Sequence, residues 1–176
     1  LVQAVAGWQV VVMWPTYLLI GLFPTPLLSV FGEAVEKARG ALMALAAAML
    51  ITAPFGPSGA VILMAGRSRQ AMFNALVVLG VNIAGNLLFV ERFGITAAGV
   101  VWAVTILTTE ALTGWQANFS VRVRTIGRPA FTAVAISAAT VGAVGVASRL
   151  VLGDDLVGLL VAGSLGGAFY LVGLRR

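Results

Sequence analysis

The sequence predicts an all-α fold, a polytopic transmembrane bundle of six helices, on three observations. Of the 176 residues, 60% are apolar and 10% charged, where soluble domains carry about 45 to 50% and about 25%. Mean hydropathy is +1.04. The apolar residues also gather into six runs, at approximately 8–31, 40–65, 70–90, 95–118, 129–149 and 156–174. Each reaches the roughly 18 residues with which an uncharged stretch crosses hydrocarbon as a helix, and the charges fall almost entirely between them. Residues 1–176 therefore read as a single transmembrane domain.

Composition excludes much chemistry. With no Cys there is no disulfide, thiolate nucleophile or Fe–S ligand, and with no His the commonest general base and metal ligand are missing. Five of the six carboxylates lie between the runs. The chain is read as no enzyme, with no cofactor and no metal site. Its net charge of +5 comes without a basic tract interleaved with aromatics, so it points to membrane lipids and topology and to no nucleic acid.

Charge also orients the runs. Counted on alternating sides, one side receives Arg67, Arg69, Arg122, Arg124, Arg128, Arg175 and Arg176, and the other only Lys37, Arg39, Arg92 and Arg149. Glu33, Glu36, Glu91, Asp154 and Asp155 all fall on the poorer side. The positive-inside rule then places both termini in the cytoplasm, in a multi-pass chain of the inner membrane.

The first run carries Trp8, Trp14 and Tyr17 and is interrupted by Pro15, Pro24 and Pro26; it lacks the basic start and small-residue cleavage site of a signal peptide. In the second, Pro54, Gly56 and Pro57 form a breaker cluster at mid-run that helix propensity does not survive. A kink or unwound turn is expected there, serving either as a hinge and cavity wall or as packing.

Asn74, Asn82 and Asn86 of the third run lie within about 120° of one another on a helix of about 3.6 residues per turn. The fourth run answers with Thr105, Thr109, Thr113 and Gln116, flanked by Glu110, the one ionisable side chain well inside a run. Such stripes are either interhelical glue or the wall of a polar cavity. Glu110 either faces the bundle interior or snorkels to the interface. In the fifth run Ala135, Ala139, Ala143 and Ala147 recur every four residues, and in the sixth Gly163 and Gly167 form a GxxxG. Rows of small residues let backbones approach closely, within the bundle or between copies.

Several weak motifs in order carry a resemblance. They are Pro26-Leu27-Leu28-Ser29-Val30-Phe31-Gly32 with a linker over 33–40, then Leu63-Met64-Ala65-Gly66-Arg67-Ser68-Arg69-Gln70, then Val81-Asn82-Ile83-Ala84-Gly85-Asn86-Leu87-Leu88, and then Arg92-Phe93-Gly94-Ile95-Thr96-Ala97-Ala98-Gly99. Together, from Pro24 to Glu110, they resemble the C-terminal region of polysaccharide flippases of the MOP superfamily, the Wzx/RfbX-like and MurJ-like exporters. The last two runs fit by hydropathy alone. Ala84-Gly85 departs from the Leu that often precedes the second Asn in that family.

The resemblance implies one lobe of a two-lobe transporter, with a six-helix N-terminal lobe missing. Such a protein flips a polyprenyl-diphosphate-linked saccharide by alternating access. Asn82, Asn86, Thr109, Thr113 and Gln116, with Glu110, would meet the saccharide in a polar cavity, and Arg67 and Arg69 would attract the diphosphate. The plainer alternative for these arginines is topology signal and anionic-lipid contact. Rival readings are a MATE-type multidrug cation antiporter lobe, for which Glu110 is the single embedded carboxylate, and a truncated, non-transporting scaffold. A membrane-embedded transferase would normally bring His, clustered acids or long outer loops, none of which is present.

Overall fold

A computed structural model describes residues 2–32, 37–122 and 127–174, and among them there is no strand. Glu33, Glu36, Arg124, Arg175 and Arg176 lie outside the described residues. The helices are α1 (Val2–Leu22), α2 (Pro24–Ser29), α3 (Arg39–Thr52), α4 (Ser58–Met64), α5 (Ser68–Phe119), α6 (Arg128–Ser137), α7 (Ala143–Leu152) and α8 (Leu156–Leu174). A 3₁₀ turn, Ala53–Phe55, precedes α4, and a π turn, Ala138–Gly142, joins α6 to α7. Among the described residues four stretches are long and apolar enough to cross a membrane: Val2–Leu22, Ser68–Phe119, Ala130–Leu152 and Leu156–Gly173. The pair Arg39–Phe55 and Ser58–Met64, bent by 47°, counts as a fifth if it is one broken span.

The surface is apolar and part of the interior polar, as suits a chain solvated by lipid. Leu150 is 82% exposed and Trp8 72%, while Ser58 and Ser137 are fully buried.

Each irregularity has a local cause. The first helix begins at Val2, ahead of the expected 8, and stops at Phe23, which takes a non-helical φ of −123° before Pro24. A residue preceding proline is pushed out of the α region. Pro15 stays inside α1, where its missing N–H frees the carbonyl of Val11. The Tyr170 hydroxyl of α8 donates to that carbonyl at 2.9 Å.

At 53–57 the second span breaks. Gly56 has φ 65° and ψ −150°, a region open in practice only to glycine. It also seats the break on α1, since a Cβ there would lie 2.6 Å from Ala6 Cβ.

At about 1.5 Å per residue, the 52 residues of α5 would far exceed a hydrocarbon core of about 30 Å. Gly94, at φ 62° and ψ −145°, interrupts the helix. The limbs 68–93 and 95–119 then run antiparallel, because Asn82 meets Thr105, Asn74 meets Gln116 and Arg67 meets Ser120.

The expected packing rows are displaced. Ala135, Ala139, Ala143 and Ala147 are all exposed. The inward row is Ala133, Ser137, Val141, Gly145 and Ser148. Residues two apart lie about 200° apart on a helix, so alanines occupy both faces and only the neighbours choose between them. Likewise a Cβ on Gly167 would meet nothing within 4 Å, whereas one on Gly166 would lie 3.2 Å from Val141 Cα. The close contact of α8 thus runs through Gly158, Ala162, Gly166 and Tyr170.

In assembly, α3 stands between the α5 hairpin on one side and α1 with α6 to α8 on the other, and α4 packs on the hairpin. Charges collect at the two ends. At one, Asp154 Oδ2 accepts from Thr25 Oγ1 at 2.6 Å and pairs with Arg39 at 3.2 Å and Arg149 at 3.5 Å. At the other, Arg67 Nη2 donates to the Ser120 carbonyl at 2.8 Å.

Candidate functional site

The hairpin limbs and the start of α4 enclose a seam of polar side chains. A helix interior bonds all its own backbone groups, so a threonine there turns its hydroxyl back to the carbonyl four residues earlier. Thr105, Thr109 and Thr113 do so, donating to Val101, Thr105 and Thr109 at 2.8, 2.9 and 2.8 Å. Their oxygens remain free to accept.

Toward the arginine end, Asn74 and Gln116 pair reciprocally, each amide N–H donating to the other's carbonyl oxygen at 2.8 Å, and both are buried. Near the Gly94 turn, Asn82 Nδ2 donates to Thr105 Oγ1 at 3.3 Å, and Asn86 Nδ2 donates back to Asn82 O at 2.8 Å and Oδ1 at 3.1 Å. Gly85 allows the limbs to close here, since a Cβ would meet Val101 Cγ1 at 2.8 Å.

Between α4 and the second limb lies the ionisable member. Ser58 Oγ donates to Glu110 Oε2 at 2.8 Å and also sits 2.8 Å from Thr113 Oγ1. Thr113 spends its own proton on Thr109 O. Two hydroxyls thus link the Glu110 carboxyl, Thr113 and the Thr109 carbonyl through three short contacts. The break in the second span builds this cluster: Ser58 is the first residue of α4, aimed at the second limb by the turn through Gly56 and Pro57.

Of the expected residues, the seam unites Asn82, Asn86, Glu110, Thr113 and Gln116 with Asn74 and Thr105. Thr109 contributes its carbonyl to Thr113 and is half-buried. Arg67 is held at the end of the hairpin, while Arg69 is exposed and outside the seam. Pro54, Gly56 and Pro57 frame the break.

Two surface hollows lie elsewhere. One of about 430 Å³ is lined by Val81, Gly85, Phe89, Phe93, Ala97 and Val101 between the limbs. Another of about 440 Å³ runs past Pro15, Leu19, Val141, Gly163, Gly167 and Tyr170. Neither contains an expected substrate residue.

Sequence reasoning did not single out Ser58, Tyr170 or Asp154. A serine inside a breaker cluster was the available signal for Ser58, and the carbonyl freed by Pro15 called for a donor such as Tyr170. Asp154 gave none, because its partners Thr25 and Arg39 come from distant segments.

No family model, no curated protein and no solved structure matches the chain.

Proposed function

We propose that the chain is one half of an alternating-access membrane transporter that moves a polyprenyl-diphosphate-linked saccharide across the cytoplasmic membrane. With the bent pair taken as one span and the hairpin as two, it crosses six times with both termini inside. The observation that carries this reading is the broken span whose restart, at Ser58, is bonded to the single deep carboxylate, Glu110. Broken helices beside polar groups at membrane depth are how transporters commonly build a site and a hinge. A second half would face the seam and complete a polar cavity, with Asn82, Asn86, Thr109, Thr113 and Gln116 meeting saccharide hydroxyls and Arg69 meeting the diphosphate. Pro54, Gly56 and Pro57 would act as the hinge.

The mutual bonding of Asn74 with Gln116 favours a second reading, in which the seam is glue and the chain a scaffold. Single cysteines separate the two cleanly, because the chain has none of its own. In the full-length transporter, Cys at 82, 86, 109 and 113 should react with small aqueous thiol reagents. Glu110→Gln should fold normally, its amide oxygen accepting from Ser58 in place of the carboxyl oxygen, yet impair export at unchanged protein level. Unreactive cysteines at all four positions, together with full export by Glu110→Gln, would leave the scaffold reading. For topology, Cys at Ser68 should resist an impermeant label in intact cells while Cys at Asp155 accepts it; the reverse pattern would invert the orientation.

A further inference from the structure

The two ends of the bundle treat their charges in opposite ways. At one end Arg39 and Arg149 share Asp154 in ion pairs. At the other lie Arg67, Arg69 and Arg122, with Arg128 at the start of α6, and no carboxylate among the described residues of that end. The side chains of Arg69, Arg122 and Arg128 are exposed and have no hydrogen-bond or ion-pair partner among the described residues. Arg67 is different. Its bond to the Ser120 carbonyl ties the start of one limb to the end of the other, which brings Arg69 and Arg122 to the same end of the hairpin from positions 53 residues apart in sequence. Arg122 takes a left-handed φ of 57° just past the end of α5 and is exposed. Every cation at this end is arginine, and the single lysine, Lys37, is at the other.

We infer that this end is a seat for the headgroups of anionic phospholipids, with Arg69, Arg122 and Arg128 as the phosphate-binding groups and Arg67 as the residue that positions the first two. Planar guanidinium forks match phosphate oxygens two at a time, which a lysine ammonium does not. A membrane surface is where such a ring of unneutralised arginine finds fixed anions, at a gain equivalent to about fivefold in binding per residue. The inference stands whether the chain transports or only scaffolds.

The test reconstitutes the full chain in nanodiscs of phosphatidylcholine containing phosphatidylglycerol and measures the ratio of the two lipids that remain with the protein on detergent extraction. The parent should be enriched in phosphatidylglycerol. R69Q/R122Q/R128Q should lose about fivefold of that enrichment per arginine removed. R69K/R122K/R128K keeps the topology signal, and so inserts as the parent does, and should fall between the two. R149Q, at the end where Asp154 pairs with arginine, should match the parent. Equal enrichment in the parent and the glutamine triple would overturn the inference, as would an R149Q loss as large as that of a single removal at the arginine end. Stripping of phosphatidylglycerol from the parent by added pyrophosphate would also overturn it and assign the arginines to a soluble phosphate.

Discussion

On one side of α3, α1 meets α6 and α7 at Ala133 and Gly145, and α8 meets the π turn at Gly166; on the other, the limbs of α5 meet across Asn74, Gln116, Asn82 and Thr105. The first interface is built from the closeness of backbones, with a side-chain bond from Tyr170 to Val11 across it. The second is built from amides and hydroxyls. In lipid no hydrophobic force drives helices together, so association rests on dispersion at close range or on hydrogen bonds. Small-residue contact tolerates sliding along a row. A reciprocal amide pair has one register, because a displaced Asn74 would leave two buried amides without partners. The lesson is that the hairpin is specified by polar pairing and the rest by shape.

The largest effect is expected where the two sides join. Gly56→Val imposes a side chain on a glycine-only conformation and drives it into Ala6. Strain and overpacking together should cost about 2 to 6 kcal/mol, read as loss of folded protein in reversible unfolding from bilayers. A variant as stable as the parent would mean that the break is not a rigid joint.

Next comes the polar side. Asn74→Ala should cost about 1 to 3 kcal/mol by orphaning Gln116, whereas Asn74→Leu with Gln116→Leu should recover much of it, since two unpaired amides are replaced by apolar groups. A double variant no better than the single would show that the pair does more than hold the hairpin. On the shape side, Tyr170→Phe removes the bond to Val11 with little change in packing, and should cost about 0.5 to 1.5 kcal/mol, checked by the same unfolding measurement. The smallest effect is expected at Ala139, which is exposed. Ala139→Leu should stay within about 0.5 kcal/mol of the parent, and a larger loss would restore the alanine row as a contact face.

Spans and breakers were legible because they depend on local chemistry. A run of Leu, Val and Ala with no charge is apolar in any fold, and Pro54, Gly56 and Pro57 break a helix wherever they stand. Turning at Gly94 was legible too, as a Phe-Gly-Ile step between two apolar runs. The polar stripes were visible as faces, through their helical spacing. Their partners were not, because nothing local says that Asn74 faces Gln116 and not a cavity, or that Glu110 meets Ser58 from another helix.

The sequence by itself determined that this chain is helical, that it is apolar outside, where its spans bend, and that the carboxylates between its runs collect on one side and most of its arginines on the other. These follow from hydropathy, backbone sterics and charge, each a property of a few consecutive residues. Tertiary structure alone decided which face of each helix turns inward. Alanines and glycines lie on both faces of α6 to α8, so the choice of Val141 and Gly166 over Ala139 and Gly167 rests on which neighbours approach. It decided equally that Asp154 would join Thr25 and Arg39, and that Tyr170 would cap the carbonyl freed by Pro15, because a hydrogen bond acts only over about 3 Å, and only the folded chain brings segments so far apart in sequence within that distance.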